Sequence, residues 1–149
     1  IRVGKSQLAD ISGNVFVANI GSSASIASNG AGAILTALQF PVFANMKILS
    51  AWKSVAAADV TKGTATTSAS YRRFNLLNGS TDGAGTVIMA SLNATASAAA
   101  NSSRAFATTA NNTVTQGNIL IISHLTVGAE TGDGTDAAAG VFHIAYELL

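Results

Sequence analysis

The sequence predicts an all-β fold, a two-sheet antiparallel sandwich of jelly-roll type with an extended N-terminal arm. Three observations lead there. Short apolar runs are separated by clusters of Gly, Asn, Asp, Ser and Thr, the spacing of strands and turns. Several runs alternate with period two, and none sustains a helical period. About seven or eight such runs without a helix favour a two-sheet sandwich.

Residues 2–29 hold Ser, Gly, Asn and Ala with scattered Ile and Val, and Ile11, Val15 and Val17 alternate only briefly with Ser12, Asn14 and Phe16. So few large apolar groups cannot offset the ordering entropy of the segment alone. Residues 1–33 are therefore expected to form an arm, laid along a partner surface through Val3, Leu8, Ile11, Val15, Phe16, Val17 and Ile20. Deleting residues 1–29 should leave the body folded. The turn-rich run 22–32, with Gly30 and Gly32, is the expected hinge, and residues 34–149 the sandwich domain.

Around 38–43 a strand is interrupted by Pro41, which belongs at an edge or bend because it lacks an N–H. Phe40, Pro41 and Phe43 are accordingly expected contact residues. In the Met46–Val55 run, strict alternation sets Met46, Ile48 and Trp52 on the core face and Lys47, Leu49 and Lys53 outside. Residues 70–78 oppose Arg72, Phe74 and Leu76 to Tyr71, Arg73, Asn75 and Leu77, then stop at the turn signal Asn78-Gly79. Residues 85–92 form the next strand, with Thr86, Ile88, Ala90 and Leu92 on one face and an almost equally apolar face carrying Val87 and Met89. The alanine-rich run 94–100 has helix propensity, yet its Ser, Thr and Asn neighbours argue for a loop. A weak strand surrounds Phe106. Residues 119–125 read as a central strand covered on both faces. The final strand, 140–149, sets Phe142, Ile144, Tyr146 and Leu148 against Val141, His143, Ala145 and Glu147, with the first three facing the core.

The 149 residues carry a net charge of +1, 10% charged side chains and no Cys. Without a basic block there is no electrostatic footprint for nucleic acid. The absence of Cys excludes a disulfide scaffold and thiolate chemistry, and fits folding in a reducing cytoplasm. Its 29 Ala, 14 Gly and 31 Ser plus Thr leave large apolar side chains scarce. Residues 34–44 are the most apolar stretch, far short of the roughly 20 residues a membrane helix needs. The chain opens on no basic region followed by an apolar core, so no secretion signal and no membrane partner are expected.

No constellation predicts catalysis. His124 and His143 are the two histidines, each inside a predicted strand without an acid or nucleophile at motif spacing. The run from Glu130 to Asp136 gathers three acids but lacks a complete calcium-loop spacing, so a solvated loop is expected, with weak cation binding as the alternative. Gly-x-Gly at Gly30, Gly83 and Gly132 lies outside any strand-turn-helix context and reads as turns. Trp52, Tyr71 and Tyr146 are candidates for stacking on a sugar, but Trp52 and Tyr146 fall on expected core faces. No catalytic residue, metal or cofactor is expected, and the chain does not read as an enzyme.

Residues 46–149 resemble the small β-sandwich decoration, or cement, proteins of tailed bacteriophage capsids. The resemblance rests on the order of the first strand, Ala58-Asp59 and a Thr-rich loop. These precede Tyr71-Arg72-Arg73-Phe74-Asn75-Leu76-Leu77-Asn78-Gly79 and Gly85-Thr86-Val87-Ile88-Met89-Ala90-Ser91-Leu92. A passage from Thr113 to Leu120 leads on to Gly140-Val141-Phe142-His143-Ile144-Ala145-Tyr146. The resemblance implies a virion protein, made in the host cytoplasm, that clusters on the outer surface of the head as a homo-oligomer, often a trimer. Its implied partner is the major capsid protein, whose neighbouring subunits it clamps. The same texture fits a receptor-binding or adhesive module of a fibre or spike, the alternative function.

Overall fold

The computed structural model describes residues 15–23, 34–55, 71–94, 99–127 and 140–149. They form ten strands: β1 (Val15–Ser23), β2 (Ile34–Pro41), β3 (Met46–Val55), β4 (Tyr71–Asn78), β5 (Val87–Ala94), β6 (Ser102–Ala105), β7 (Ala107–Thr108), β8 (Thr113–Val114), β9 (Ile119–Val127) and β10 (Gly140–Leu148). The described residues contain no helix. One antiparallel sheet runs β1-β10-β3-β6, with β8 also on β3, and the other runs β2-β9-β4-β5-β7.

The pairing is nested. β4 pairs β5 across the chain's central turn, β3 pairs β6, β2 pairs β9 and β1 pairs β10, each antiparallel. Successive pairs alternate between the sheets, so the chain is a long hairpin rolled on itself, the jelly-roll connectivity. Phe106 marks one crossing between sheets. It lies between β6 and β7, buried, with its N–H donating to the Ala51 carbonyl at 2.8 Å.

Where the alternation is regular, expectation and structure agree. Phe142 and Ile144 are buried and Tyr146 packs on the core margin. Arg72, Phe74 and Leu76 point inward from β4, paired in register with Thr126, His124 and Ile122 of β9. Phe74 and Phe142 pack with centroids 5.9 Å apart, and Phe106 sets its edge against Phe142. β2 is an edge strand ending at Pro41, where a missing N–H costs little.

β-Bulges explain the departures. In β3, Ile48 pairs Tyr146 while Ser50 pairs Ala145, leaving Leu49 as an extra residue. The face pattern flips there. Ala51, Lys53 and Val55 turn inward and half-buried Trp52 outward, reversing the expectation for Trp52 and Lys53. Lys53 is fully buried, with Nζ 4.6 Å from the Phe74 ring centroid, a cation–π geometry. In β5, Met89 is the extra residue, so Met89 and Ala90 are both buried, which is why neither face looked polar in the sequence.

The expected arm needs a correction over Val15–Ser23. These residues are β1, paired along β10, and Ile20 is a core residue instead of a partner contact. The pairing and one well-placed Ile supply what the segment's composition lacks. Residues 1–14 and 24–33 lie outside the described residues, as do residues 95–98 of the alanine-rich run. The Asn78-Gly79 turn is real but longer than a two-residue hairpin. Left-handed φ values fall at Ser80 and Gly83. Gly79 is favoured instead by close approach, since a Cβ there would displace the Ile121 side-chain tip, 2.5 Å from Cδ1, and press on the Ile119 carbonyl oxygen at 3.0 Å.

Candidate interaction surface

Strand register brings three segments to one end of the sandwich. Val15 of β1 lies opposite Glu147 of β10, which lies opposite Lys47 of β3, and Leu148 lies opposite Met46. The Leu149 N–H donates to the Asn45 carbonyl at 3.0 Å, bringing the bend after β2 alongside. Val15, Phe16, Val17, Phe43, Leu148 and Leu149 are all exposed at this end, with Val17 65%, Leu149 67% and Phe43 72% accessible. Isolated exposed apolar residues are ordinary, whereas several together at one end of a fold mark a surface built to be covered.

The surface is held rigidly. The Val42 N–H donates to the Asn118 carbonyl and the Gly117 N–H to the Val42 carbonyl, both at 2.9 Å. The Gln116 N–H donates to Asn45 Oδ1 at 2.9 Å. The backbone carrying Phe43 is thus pinned on both sides. Phe40 is half-buried against the core and meets the Phe43 ring edge-on at 6.3 Å. Phe16 stacks on Tyr146 at 5.6 Å. Lys47 Nζ and Glu147 Oε1 form a 3.4 Å ion pair beside Val15, which gives the patch a polar margin and, being solvated, adds little stability.

Of the contact residues expected from sequence, the structure gathers Val15, Phe16, Val17, Phe40, Pro41 and Phe43 in this region and removes Ile20 to the core. Val3, Leu8 and Ile11 lie outside the described residues. Leu148 and Leu149 were missed. Leu148 continues the inward phase of β10 but is exposed, so periodicity alone assigns it to the interior.

Among the described residues, His124 and Ser123 are neighbours in sequence but not in orientation. His124 is buried with its ring 5.1 Å from Phe74, while its neighbour Ser123 projects from the opposite face of β9, so the two cannot act as nucleophile and base. Gly83 sits in a turn where Asp82 Oδ1 accepts the Ala84 N–H at 2.9 Å. Among the described residues, no three His, Cys, Asp or Glu side chains gather as a metal site, and the run from Glu130 to Asp136 lies outside them. No described helix is long and apolar enough to cross a membrane.

A cavity of about 300 Å³ lies on the outer face of the β2-β9-β4-β5-β7 sheet, walled by Leu77, Ile88, Ile121 and Leu125. Arg73 flanks it, donating from Nε to Asn93 Oδ1 at 2.9 Å and from a terminal nitrogen to the Tyr71 hydroxyl at 2.7 Å. Asn75 Oδ1 and Ser123 Oγ are buried beneath it without a hydrogen-bond partner among the described residues.

No family model and no curated protein sequence matches the chain. Among solved structures, it is similar to a chain in the structure of infectious bursal disease virus, Gx strain, with 9% identity and a TM-score of 0.35. That alignment covers 91% of this chain and 36% of the other, so this chain spans little more than a third of that chain's length.

Proposed function

We propose that this chain is a structural virion protein that decorates the outer surface of a bacteriophage capsid and stabilises it by clamping neighbouring subunits of the major capsid protein. The rigid apolar end carrying Val15, Phe16, Val17, Phe43, Leu148 and Leu149 is the observation that carries the reading. Such an end gains from being covered, at about 25 cal/mol per Å² of apolar area removed from water. β1 pairs β10 on one side only among the described residues, so its other edge offers backbone donors and acceptors to a partner strand. The jelly-roll connectivity and the sequence resemblance to capsid decoration proteins support the same reading.

In it the chain acts as a homotrimer, and several weak contacts per trimer give durable attachment through multivalency. Nothing in this role calls for a cofactor, nucleic acid, membrane or catalytic step. The alternative role, a receptor-binding or adhesive module of a fibre or spike, draws on the outward turn of Trp52.

The test is co-sedimentation with capsid shells that lack the protein. The double variant Val17→Asp with Phe43→Asp places charge on two exposed positions and should keep the wild-type circular dichroism and melting temperature. It is expected to leave the shells unbound. Undiminished binding by the folded double variant would overturn the reading.

A further inference from the structure

We propose that the outer face of the β1-β10-β3-β6 sheet carries a binding platform for a neutral carbohydrate, centred on Trp52. Its central row, Asn19, His143 and Trp52, adjoins the row of Val17, Ala145 and Ser50 on the same face and extends away from Leu148 and Leu149; its existence does not depend on the capsid role.

The Trp52 and His143 rings stack with centroids 5.4 Å apart and planes 17° apart, and the two residues are direct partners on β3 and β10. Neighbouring strands are spaced about 4.8 Å apart. Ring spacing so close to strand spacing means that both rings stand upright from the sheet, side by side. His143 therefore covers one face of the indole. The other face looks toward β6, where the residue paired with Trp52 is Ala105, too small to cover it.

Two residues further along these strands, a shallow groove is lined by Ser54, Val55, Asn101, Ser102, Ser103 and Val141. None of them is charged. An aromatic face beside hydroxyl and amide groups matches a pyranose: its C–H face packs on the indole while its hydroxyls exchange hydrogen bonds with Ser and Asn side chains. The uncharged lining among the described residues favours a neutral sugar over a phosphate or an acidic one. The Leu49 bulge is what makes the site, because strict alternation would have put Trp52 inside.

The chain has one tryptophan, so emission excited selectively at tryptophan, apart from its two tyrosines, reports on Trp52. Titrating the full chain with maltotriose, cellotriose, chitotriose and galactose is expected to give a saturable emission change with at least one of them. Ala105→Leu fills the space beside the open indole face while keeping the stack, and should weaken that binding at least about tenfold. The pair Ser54→Ala with Ser103→Ala adds no bulk and should weaken it as well. Emission unchanged by all four sugars overturns the proposal, as does binding that both folded variants retain in full. An emission change that follows protein concentration instead of sugar assigns the stack to contacts between copies, and overturns it too.

Discussion

Ile144 sits fully buried at the centre of β10, paired with Ala18 on one side and Ala51 on the other. Neighbours this small cannot close over a lost side chain. Ile144→Ala is therefore expected to cost about 2–5 kcal/mol in denaturant unfolding, toward the upper part of that range. At Gly85 the constraint is backbone against backbone: a Cβ would lie 2.6 Å from the Asn78 carbonyl oxygen and 2.7 Å from the Gly79 carbonyl carbon. Gly85→Ala must open the central turn, at a cost of about 1–3 kcal/mol. Gly83, two residues earlier in the same turn, has space around it but a φ of +76°. Gly83→Ala should cost only about 1–2 kcal/mol, from left-handed backbone strain. If thermal melts ranked Gly83→Ala well above Gly85→Ala, the described turn geometry would be wrong.

Bulges govern the strands, and they decide how much of each one could be read in advance. The boundaries of β3 and β10 follow from composition and alternation, and β10, whose inward Phe142 and Ile144 fall in one unbroken phase, was legible almost throughout. β3 was legible only as far as Ile48. A bulge leaves no residue-type signature at Leu49, so alternation carried past it exchanged Trp52 with Lys53. Lys53 also hid its burial, because its ammonium finds the Phe74 ring in the interior. Deleting Leu49 removes only the extra residue and should leave β3 regular and the protein folded. Deleting Trp52 instead shifts Lys53 outward and Ser54 inward, and should abolish cooperative unfolding as followed by circular dichroism. β1 was illegible for a different reason: its partner is β10, at the far end of the sequence, and local composition says nothing of a pairing so distant. Truncation through residue 23 strips Ile20 from the core and bares the edge of β10, so it should lower the melting temperature, contrary to the expectation of a dispensable arm.

Over the whole molecule, the apolar end unites residues that the sequence presents far apart. Phe40, Pro41 and Phe43 stood out in advance because a proline breaks an apolar run, and Val15, Phe16 and Val17 because they form the densest apolar stretch of a polar segment. Their convergence with Leu148 and Leu149 depends on nested pairing, which only the fold supplies. The Trp52 face extends away from Leu148 and Leu149 along the β1-β10-β3-β6 sheet, so covering those residues would leave the groove beyond Trp52 open. If the end joins copies of this chain, sedimentation should detect a trimer whose population falls in the Val17→Asp, Phe43→Asp variant. The most direct measurement is imaging of the intact particle at a resolution that traces the chain. Many copies over the outer shell are expected, with Val17, Phe43 and Leu149 turned into subunit contacts. A few copies at a tail tip, or an end bearing these residues that faces solvent, would contradict the proposed capsid role.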